Sequence, residues 1–342
     1  MELCVMGIET SCDETSVSIV KNGREVLSNT ILSQIKTHQL YGGVVPEIAS
    51  REHLEAINYV IKQSLEEAKK SFDDIDLIAV TKGPGLIGAL LVGISSAKAL
   101  SLALEKPLIG VNHMEGHICA NYLTFKDLEP PLISLVVSGG HTYLVDVKSY
   151  TEYEVVGQTR DDAAGESFDK VARSLGLGYP GGPAIQKAAE KGDKTAIDFP
   201  RVTINKDTYD FSFSGLKTAV LNYLNSQKMA QNEINPYDVA ASFQAAVIDV
   251  LVEKSIRLLK ERNRDKIVLS GGVAANKPLR DLMEEKIKNM GIKLYYPPLD
   301  LCTDNAAMIA SAGYYNYLKS GGDSLYLDVY PNLGLEKGNN DK

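Results

Sequence analysis

Residues 132–147 read Leu132-Ile133-Ser134-Leu135-Val136-Val137-Ser138-Gly139-Gly140-His141-Thr142-Tyr143-Leu144-Val145-Asp146-Val147. Aliphatic and β-branched residues fill both flanks and the centre is of turn type, so the stretch is a strand, a polar turn and a second strand. A stretch near the start, residues 3–20, has the same layout: apolar Leu3–Ile8, the polar run Glu9-Thr10-Ser11-Cys12-Asp13-Glu14-Thr15, then Ser16–Val20. Two halves that each open in this way point to an internal duplication. Outward from these openings, Val26–Leu32 continues the first sheet after the turn Lys21-Asn22-Gly23-Arg24, and Tyr153–Gln158 continues the second. Between them lie a helical pattern over Pro46–Lys70, a strand Leu77–Thr81, a helix Leu86–Leu104, a strand Pro107–Val111 and a helix opening near His113. Alternation of strand and helix makes the chain an α/β layer protein.

A third glycine turn follows Lys266–Ser270, in Gly271-Gly272-Val273-Ala274-Ala275-Asn276, and leads into a helix from Pro278. Glycine removes the Cβ that would keep a ligand from backbone N–H groups, so Gly139-Gly140 and Gly271-Gly272 suit a phosphate, with the Thr142 hydroxyl as a further donor. A glycine-rich hairpin turn needs no ligand, and Asn276 equally suits the N-cap of the next helix. Three loops of matching chemistry nonetheless favour a nucleotide cleft. The expected fold is a duplicated actin/Hsp70-like ATPase (ASKHA) fold, with two lobes and a nucleotide cleft between them. The boundaries read from the sequence are 1–130 for the first lobe and 131–330 for the second. The second lobe carries a helical insertion over about 163–237, and 334–342 form a flexible tail.

The chain has 342 residues, 44% hydrophobic, which is ample for two domains without disulfide staples. Cys4, Cys12, Cys119 and Cys302 form no CxxC pair, and the opening MELCVMGIETS has no basic-then-apolar leader, so a reducing cytoplasm is the expected compartment. Leu86–Leu104 is long enough to span a bilayer but holds Lys98, serines and glycines, and is read as a buried helix. The formal net charge of −8 argues against a protein that grips nucleic acid by bulk electrostatics. The one basic stretch, Glu253–Lys266, reads as the solvated face of a long helix.

His113-Met114-Glu115-Gly116-His117 sets two imidazoles at i and i+4, on one helical face, which is a metal-ligand spacing. The zinc-peptidase pattern HExxH fails here, because Glu115 stands two residues after His113 and points off the histidine face. Its ordinary role would be to pair with an Asn112 N-cap. A carboxylate would complete a two-His-one-carboxylate site suited to Fe(II), Zn or Mn. Asp304 sits at a helix start in Cys302-Thr303-Asp304-Asn305, where Thr303 is a natural cap; spacing alone does not link it to His113.

Eight motifs in order, IETSCDETS, KGPGLIGALLVG, NHMEGH, LVVSGGHTYL, GESFDKVARSLGLGYPGGP, FSFSGLKTA, LSGGVAANKPLR and CTDNAAMIA, resemble the TsaD family, formerly known as O-sialoglycoprotein endopeptidases. The resemblance runs from about Leu3 to Tyr317 and is of bacterial flavour. It implies transfer of L-threonylcarbamoyl from its adenylate to N6 of adenosine 37 in tRNAs that read codons beginning with A, with release of AMP. The implied metal ligands are His113, His117 and Asp304, holding one divalent ion, Fe(II) first and Zn(II) second. The implied substrate contacts are Val136, Val137, Ser138, Gly139, Gly140, Asp169, Gly182 and Asn276. Gln186 stands where relatives often carry an acidic residue, which puts a ribose contact there in question. Asp13 or Glu14 would assist proton removal, since the base amine is the nucleophile and no Ser–His or Cys–His pair is present. The implied partners are tRNA, a smaller TsaB-like paralogue and a TsaE-like ATPase subunit, with no membrane. The competing readings are a metalloendopeptidase, a non-catalytic nucleotide-binding scaffold and a sugar-kinase-like phosphotransferase.

Overall fold

The structure is a computed structural model that describes residues 2–201 and 208–337. In chain order the elements are β1 (Cys4–Glu9), β2 (Glu14–Lys21), β3 (Glu25–Ser33), α1 (Ile35–Gln39), α2 (Pro46–Ala68), β4 (Leu77–Gly83), α3 (Ile87–Leu104), β5 (Leu108–Asn112) and α4 (His113–Thr124). There follow β6 (Leu132–Val137), β7 (Thr142–Ser149), β8 (Glu152–Gln158), α5 (Ala164–Ser174), α6 (Gly181–Ala189), α7 (Ser214–Met229) and α8 (Pro236–Glu261). The chain closes with β9 (Lys266–Ser270), α9 (Lys277–Ile287), β10 (Lys293–Tyr295), α10 (Leu299–Cys302) and α11 (Ala306–Ser320).

Two five-stranded sheets result, β3-β2-β1-β4-β5 and β8-β7-β6-β9-β10. Their orders are the same: three consecutive strands, then two reached by crossovers. In the first, β1 pairs antiparallel with β2 and parallel with β4, which pairs parallel with β5. In the second, β6 and β9 run parallel with Val136 opposite Ser270, and β9 runs parallel with β10. Such mixed sheets need helical crossovers, which α2, α3, α8 and α9 supply. The duplication read from the two strand–turn–strand openings is thus visible in the strand order.

By compactness the chain divides into two units: Met1–Pro130 with Val147–Glu154 and Pro297–Lys342, and Pro131–Asp146 with Val155–Tyr296. The closing residues therefore do not belong with the second lobe, as the boundary 131–330 had them, but return to the first unit. The cause is close packing between small residues. A Cβ on Gly7 of β1 would lie 2.2 Å from the Ala306 carbonyl oxygen, one on Gly313 would lie 2.4 Å from Ala79 Cβ, and one on Gly116 of α4 would lie 2.8 Å from Ile309 Cδ1. Helix α11 can approach β1, β4 and α4 so closely only because these positions lack side chains.

Arg24 draws Val147–Glu154 to the same unit. Its guanidinium donates to the Lys126 and Leu128 carbonyls at 2.7 and 2.9 Å and to the Tyr150 and Tyr315 hydroxyls, both at 2.8 Å. The turn that presents it has Asn22 and Gly23 at φ 54° and 67°, as a two-residue hairpin requires.

The helix α3 has the length and apolarity of a membrane span, yet it packs one face, through Ala89, Leu90, Gly93, Ile94 and Ala97, while Ile87, Leu91 and Leu102 of the other are exposed. The reading of a buried helix holds for that first face only. The region about 163–237 contains α5, α6 and α7; residues 202–207 within it lie outside the described residues. Of the tail expected from Gly334, the first part is docked: Leu333 and Leu335 are buried and the Gly334 carbonyl accepts from Asn112 Nδ2 at 3.1 Å. Residues 338–342 lie outside the described residues.

Candidate functional site

The first unit gathers His113, His117 and Asp304, with one donor atom from each lying within 4.8 Å of the others. Asn112 caps α4, its side chain accepting from the Met114 N–H at 2.8 Å, so the helix begins at His113 and sets both histidines on one face. Asp304 arrives just ahead of α11. The cap of that helix is Asn305, which accepts from the Met308 N–H at 3.0 Å, and not Thr303 as the sequence reading had it. Asn305 also donates to the Thr303 carbonyl at 2.8 Å, and that bend leaves Asp304 free to turn towards α4. Asp304 Oδ1 then lies 3.4 Å from Nε2 of each histidine. Glu115 stands off this face, its carboxyl accepting from Asn316 Nδ2 at 2.9 Å.

Donors bound at about 2.1 Å to a common ion stand roughly 3.0–3.4 Å apart, so these separations fit a first-row divalent metal. A second observation agrees: both ring nitrogens of His117 are buried with no hydrogen-bond partner, an arrangement that is costly unless something else takes the lone pair. Electrostatics mark the same cluster. Burial opposes the charged form of His113, but Asp304 and Glu9 outweigh it and hold its pKa well above the usual imidazole range. Burial opposes the charged form of Asp304 as well and so raises its pKa, but the two histidines outweigh it and hold it well below the usual carboxylate range. Burial keeps His117 low, with the charge of His113 adding to the effect.

Asp13 and Glu14 form the end of the β1–β2 turn. The Asp13 carbonyl accepts from the Gln34 N–H at 2.9 Å, and Glu14 Oε1 accepts from the Ser33 hydroxyl at 3.0 Å. Burial, followed by the charges of Asp304 and Asp13, pushes the Glu14 carboxyl up to about 9. A half-buried carboxylate with this shift beside the cluster is a candidate site residue, and a bound dication would reverse the sign of the shift.

The expected substrate contacts lie in the second unit, around the C-terminal ends of the parallel strands β6 and β9. The turn after β6 is closed by the Ser138 N–H donating to the His141 carbonyl at 2.9 Å. Val136 and Val137 are core side chains, so they can offer a ligand only backbone. A Cβ on Gly139, Gly140, Gly182 or Gly272 would have nothing within 4 Å, whereas one on Gly165 would meet the Ser138 carbonyl oxygen at 2.4 Å and one on Gly271 the Val137 carbonyl oxygen at 2.5 Å. Two of these glycines are demanded by packing and four face open space. Such space outside the carboxyl ends of parallel strands is where ligands sit in open α/β sheets.

Three polar residues there are already engaged. Asp169 Oδ1 accepts from the Gly181 N–H at 2.7 Å. Asn276 caps α9, accepting from the Leu279 N–H at 3.1 Å, and donates to Gln244 Oε1 at 2.8 Å. Gln186 Oε1 accepts from the Lys277 N–H at 3.2 Å. The Thr142 hydroxyl accepts from the Ala164 N–H at 3.0 Å at the start of α5, which leaves its own O–H to donate. The basic stretch Glu253–Lys266, read as a solvated helix face, is a correction. Lys254 is buried against the Thr208 and Asp210 carbonyls, Arg257 donates to Thr208 O at 2.6 Å, and Arg264 forms a two-bond pair with Asp146, so these cations stitch the second unit internally. Sequence reasoning missed Glu9, which is wholly buried and accepts from His113 Nδ1 at 2.9 Å. The signal was present as a lone carboxylate closing an apolar strand.

Comparison with known proteins agrees with this geometry. The family profile "TsaD: tRNA N6-adenosine threonylcarbamoyltransferase" matches residues 25–311. The tRNA N6-adenosine threonylcarbamoyltransferase of Clostridium botulinum is 58% identical over 331 residues, 97% of each chain, and that of Clostridioides difficile is 56% identical over 336 residues, 98% of this chain and 99% of the relative. Among solved structures, full-length HypF in its phosphate- and nucleotide-bound form aligns with a TM-score of 0.62 at 17% identity, over 94% of this chain and 56% of that one. Component A of the (R)-2-hydroxyglutaryl-CoA dehydratase of Acidaminococcus fermentans aligns with a TM-score of 0.55 at 15% identity, over 92% and 99%. These likenesses show the fold, which is the duplicated actin/Hsp70-like one expected from the sequence. By profile and by identity over nearly its whole length, the chain belongs to the tRNA N6-adenosine threonylcarbamoyltransferase family, transferases that place a threonylcarbamoyl group on N6 of adenosine in tRNA.

Proposed function

We propose that the transfer is made to adenosine 37 of tRNAs reading codons that begin with A, from threonylcarbamoyl-AMP, at a centre whose ligands are His113, His117 and Asp304. The observation that carries this reading is the convergence of three donor atoms within 4.8 Å, one of them on a histidine whose nitrogens have no other partner. Two imidazoles and one carboxylate suit Fe(II) first and Zn(II) second. A dication there would supply Lewis acidity towards phosphate or carbamoyl oxygens.

The bond changes are simple. The N6 amine attacks the carbamoyl carbon, the bond from that carbon to the phosphate oxygen breaks, AMP departs with the electron pair, and the amine nitrogen loses a proton. Asp13, in the first turn, takes that proton, or Glu14 does so where a dication beside Asp304 would offset the burial and charge that hold its carboxyl up at about 9. Gly139 and Gly140 offer backbone N–H groups to the phosphate, with the Ser138 hydroxyl beside them, since the Ser138 N–H closes the turn, and the ends of Val136 and Val137 behind them. Gly182 leaves room for the nucleoside, and Asp169 and Asn276 line its approach with carboxylate and amide already fixed by their bonds to Gly181 and Gln244. With Gln186 holding the Lys277 amide, its remaining NH2 can serve a ribose hydroxyl.

A chain of net charge −8 with Lys254, Arg257 and Arg264 engaged internally has little to hold a polyanion alone. A TsaB-like paralogue and a TsaE-like ATPase subunit are therefore assigned as partners that complete the tRNA surface, in the cytoplasm. The test is a reconstituted reaction with threonylcarbamoyl-AMP, an unmodified tRNA transcript and Fe(II), with modified adenosine read by mass spectrometry. Modification at position 37 that is lost in His113→Ala supports the proposal. Wild-type modification at another adenosine, or full activity in His113→Ala, overturns it.

A further inference from the structure

Glu9 is the last residue of β1 and is fully buried. Taking a carboxylate out of water costs several kcal/mol unless close partners replace the lost solvent, so its partners reveal its purpose. The Ser11 N–H donates to Oε1. The Thr81 hydroxyl donates to Oε2 at 2.6 Å, and His113 Nδ1 lies 2.9 Å from that same oxygen. The Ser11 hydroxyl is 3.2 Å from Nδ1 on the other side. The first two donors tie the carboxylate to the turn after β1 and to β4. The third acts on the histidine ring itself. An ionised acceptor at Nδ1 keeps the proton on that nitrogen and leaves the Nε2 lone pair directed to the side where Asp304 Oδ1 lies 3.4 Å away. His117 has no counterpart, since its Nδ1 is buried without a hydrogen-bond partner.

Resting on the metal reading above, we propose that Glu9 is the positioning residue of the centre: its carboxylate locks His113 in the Nδ1–H tautomer and adds the second negative charge that, with Asp304, balances a buried dication. The two histidines are then unequal, His113 being a ligand fixed in advance and His117 one that turns to meet the ion.

The test uses Zn(II) and Co(II) as probes of the whole protein. Glu9→Gln keeps the shape but has one acceptor oxygen where two are used, so it loses either Ser11 or His113. Zn(II) affinity, from competition with a chromogenic chelator, is expected to fall ~10–100-fold, with a changed Co(II) visible spectrum. Thr81→Val removes a donor to Glu9 without touching the ring, and its Zn(II) affinity is expected to stay within about threefold of wild type despite a lower Tm. An affinity and Co(II) spectrum unchanged in Glu9→Gln overturn the proposal. Should that variant fail to fold, 15N NMR of the zinc-loaded wild type decides, since an unprotonated Nδ1 on His113 is incompatible with the role assigned to Glu9. The parent reading fails separately: if wild type takes up no equivalent of Zn(II), or if Asp304→Ala and His117→Ala bind it as tightly as wild type, there is no centre to position and both readings fall.

Discussion

The turn after β1 and the turn after β6 occupy the same place in two sheets of the same strand order, yet they are built from opposite materials. The first, Glu9 to Glu14, is lined with carboxylates and hydroxyls whose side chains are bonded to a main-chain N–H, to Ser33 and to a histidine. The second, Ser138 to His141, offers two glycines with open space above them and no carboxylate. Duplication has given one scaffold twice. One copy presents side chains and the other main chain, so substitutions should fail differently in the two.

The largest effect is expected where side-chain donors are removed. Asp304→Ala or His117→Ala should abolish stoichiometric metal, read by elemental analysis, and lower transfer by at least about 100-fold, the loss of some 3 kcal/mol of charge stabilisation. Gly7→Ala comes next. It touches no ligand, but its Cβ would press on the Ala306 carbonyl oxygen and push α11 off β1, so stability should drop by about 1–3 kcal/mol and metal affinity should fall with it as Asp304 is displaced. Urea unfolding with and without Zn(II) separates the two losses.

In the second turn the comparison sharpens within a few residues. Gly139→Ala adds a methyl group to open space and should leave Tm nearly unchanged, within about 0.5 kcal/mol, while raising the KM for the adenylate roughly tenfold by blocking main-chain contact. Gly271→Ala should do the reverse, because its φ of +84° and a Cβ 2.5 Å from the Val137 carbonyl oxygen strain the fold itself, by about 1–3 kcal/mol. Equal effects from the two substitutions would erase the distinction between open and packed glycines.

The smallest effect concerns Asp162, which pairs with Lys170 and Lys217 at 2.8 and 2.9 Å. Burial raises its pKa, but the two lysines outweigh it and the net shift is downward. A depressed folded-state pKa stabilises above the unfolded carboxylate value and is lost as pH falls through the folded value. Asp162→Asn should therefore cost up to about 1 kcal/mol at pH 7, allowing for solvent screening, and the gap from wild type should close on acidification towards pH 3. Thermal melts across that range check it.

Strands with alternating or wholly apolar runs, the glycine turns and the i, i+4 histidines were legible in the sequence because each is a local pattern. The return of α11 to the first unit was not. It depends on Gly7, Gly116 and Gly313 meeting residues far away in the chain, and a missing side chain leaves no periodic trace. The link from Asp304 to His113 came through resemblance, not spacing, for the same reason. The Thr142 hydroxyl and the cations Lys254 and Arg257 were legible as polar groups, but the Ala164 N–H that Thr142 accepts from and the Thr208 carbonyl that the cations donate to are visible only once the elements have packed. Glu9 was read as part of a polar run, because sequence alone does not say which of its carboxylates is shut away from water.

The placement of Asp304 also has a consequence during synthesis. His113 and His117 leave the ribosome long before it, separated by the entire second unit. Until the last helix is made and seated on β1, two buried imidazoles wait without their carboxylate. On the metal reading proposed above, a nascent chain that has not reached Asp304 would lack the carboxylate ligand, and metal loading would report that synthesis has passed the start of α11.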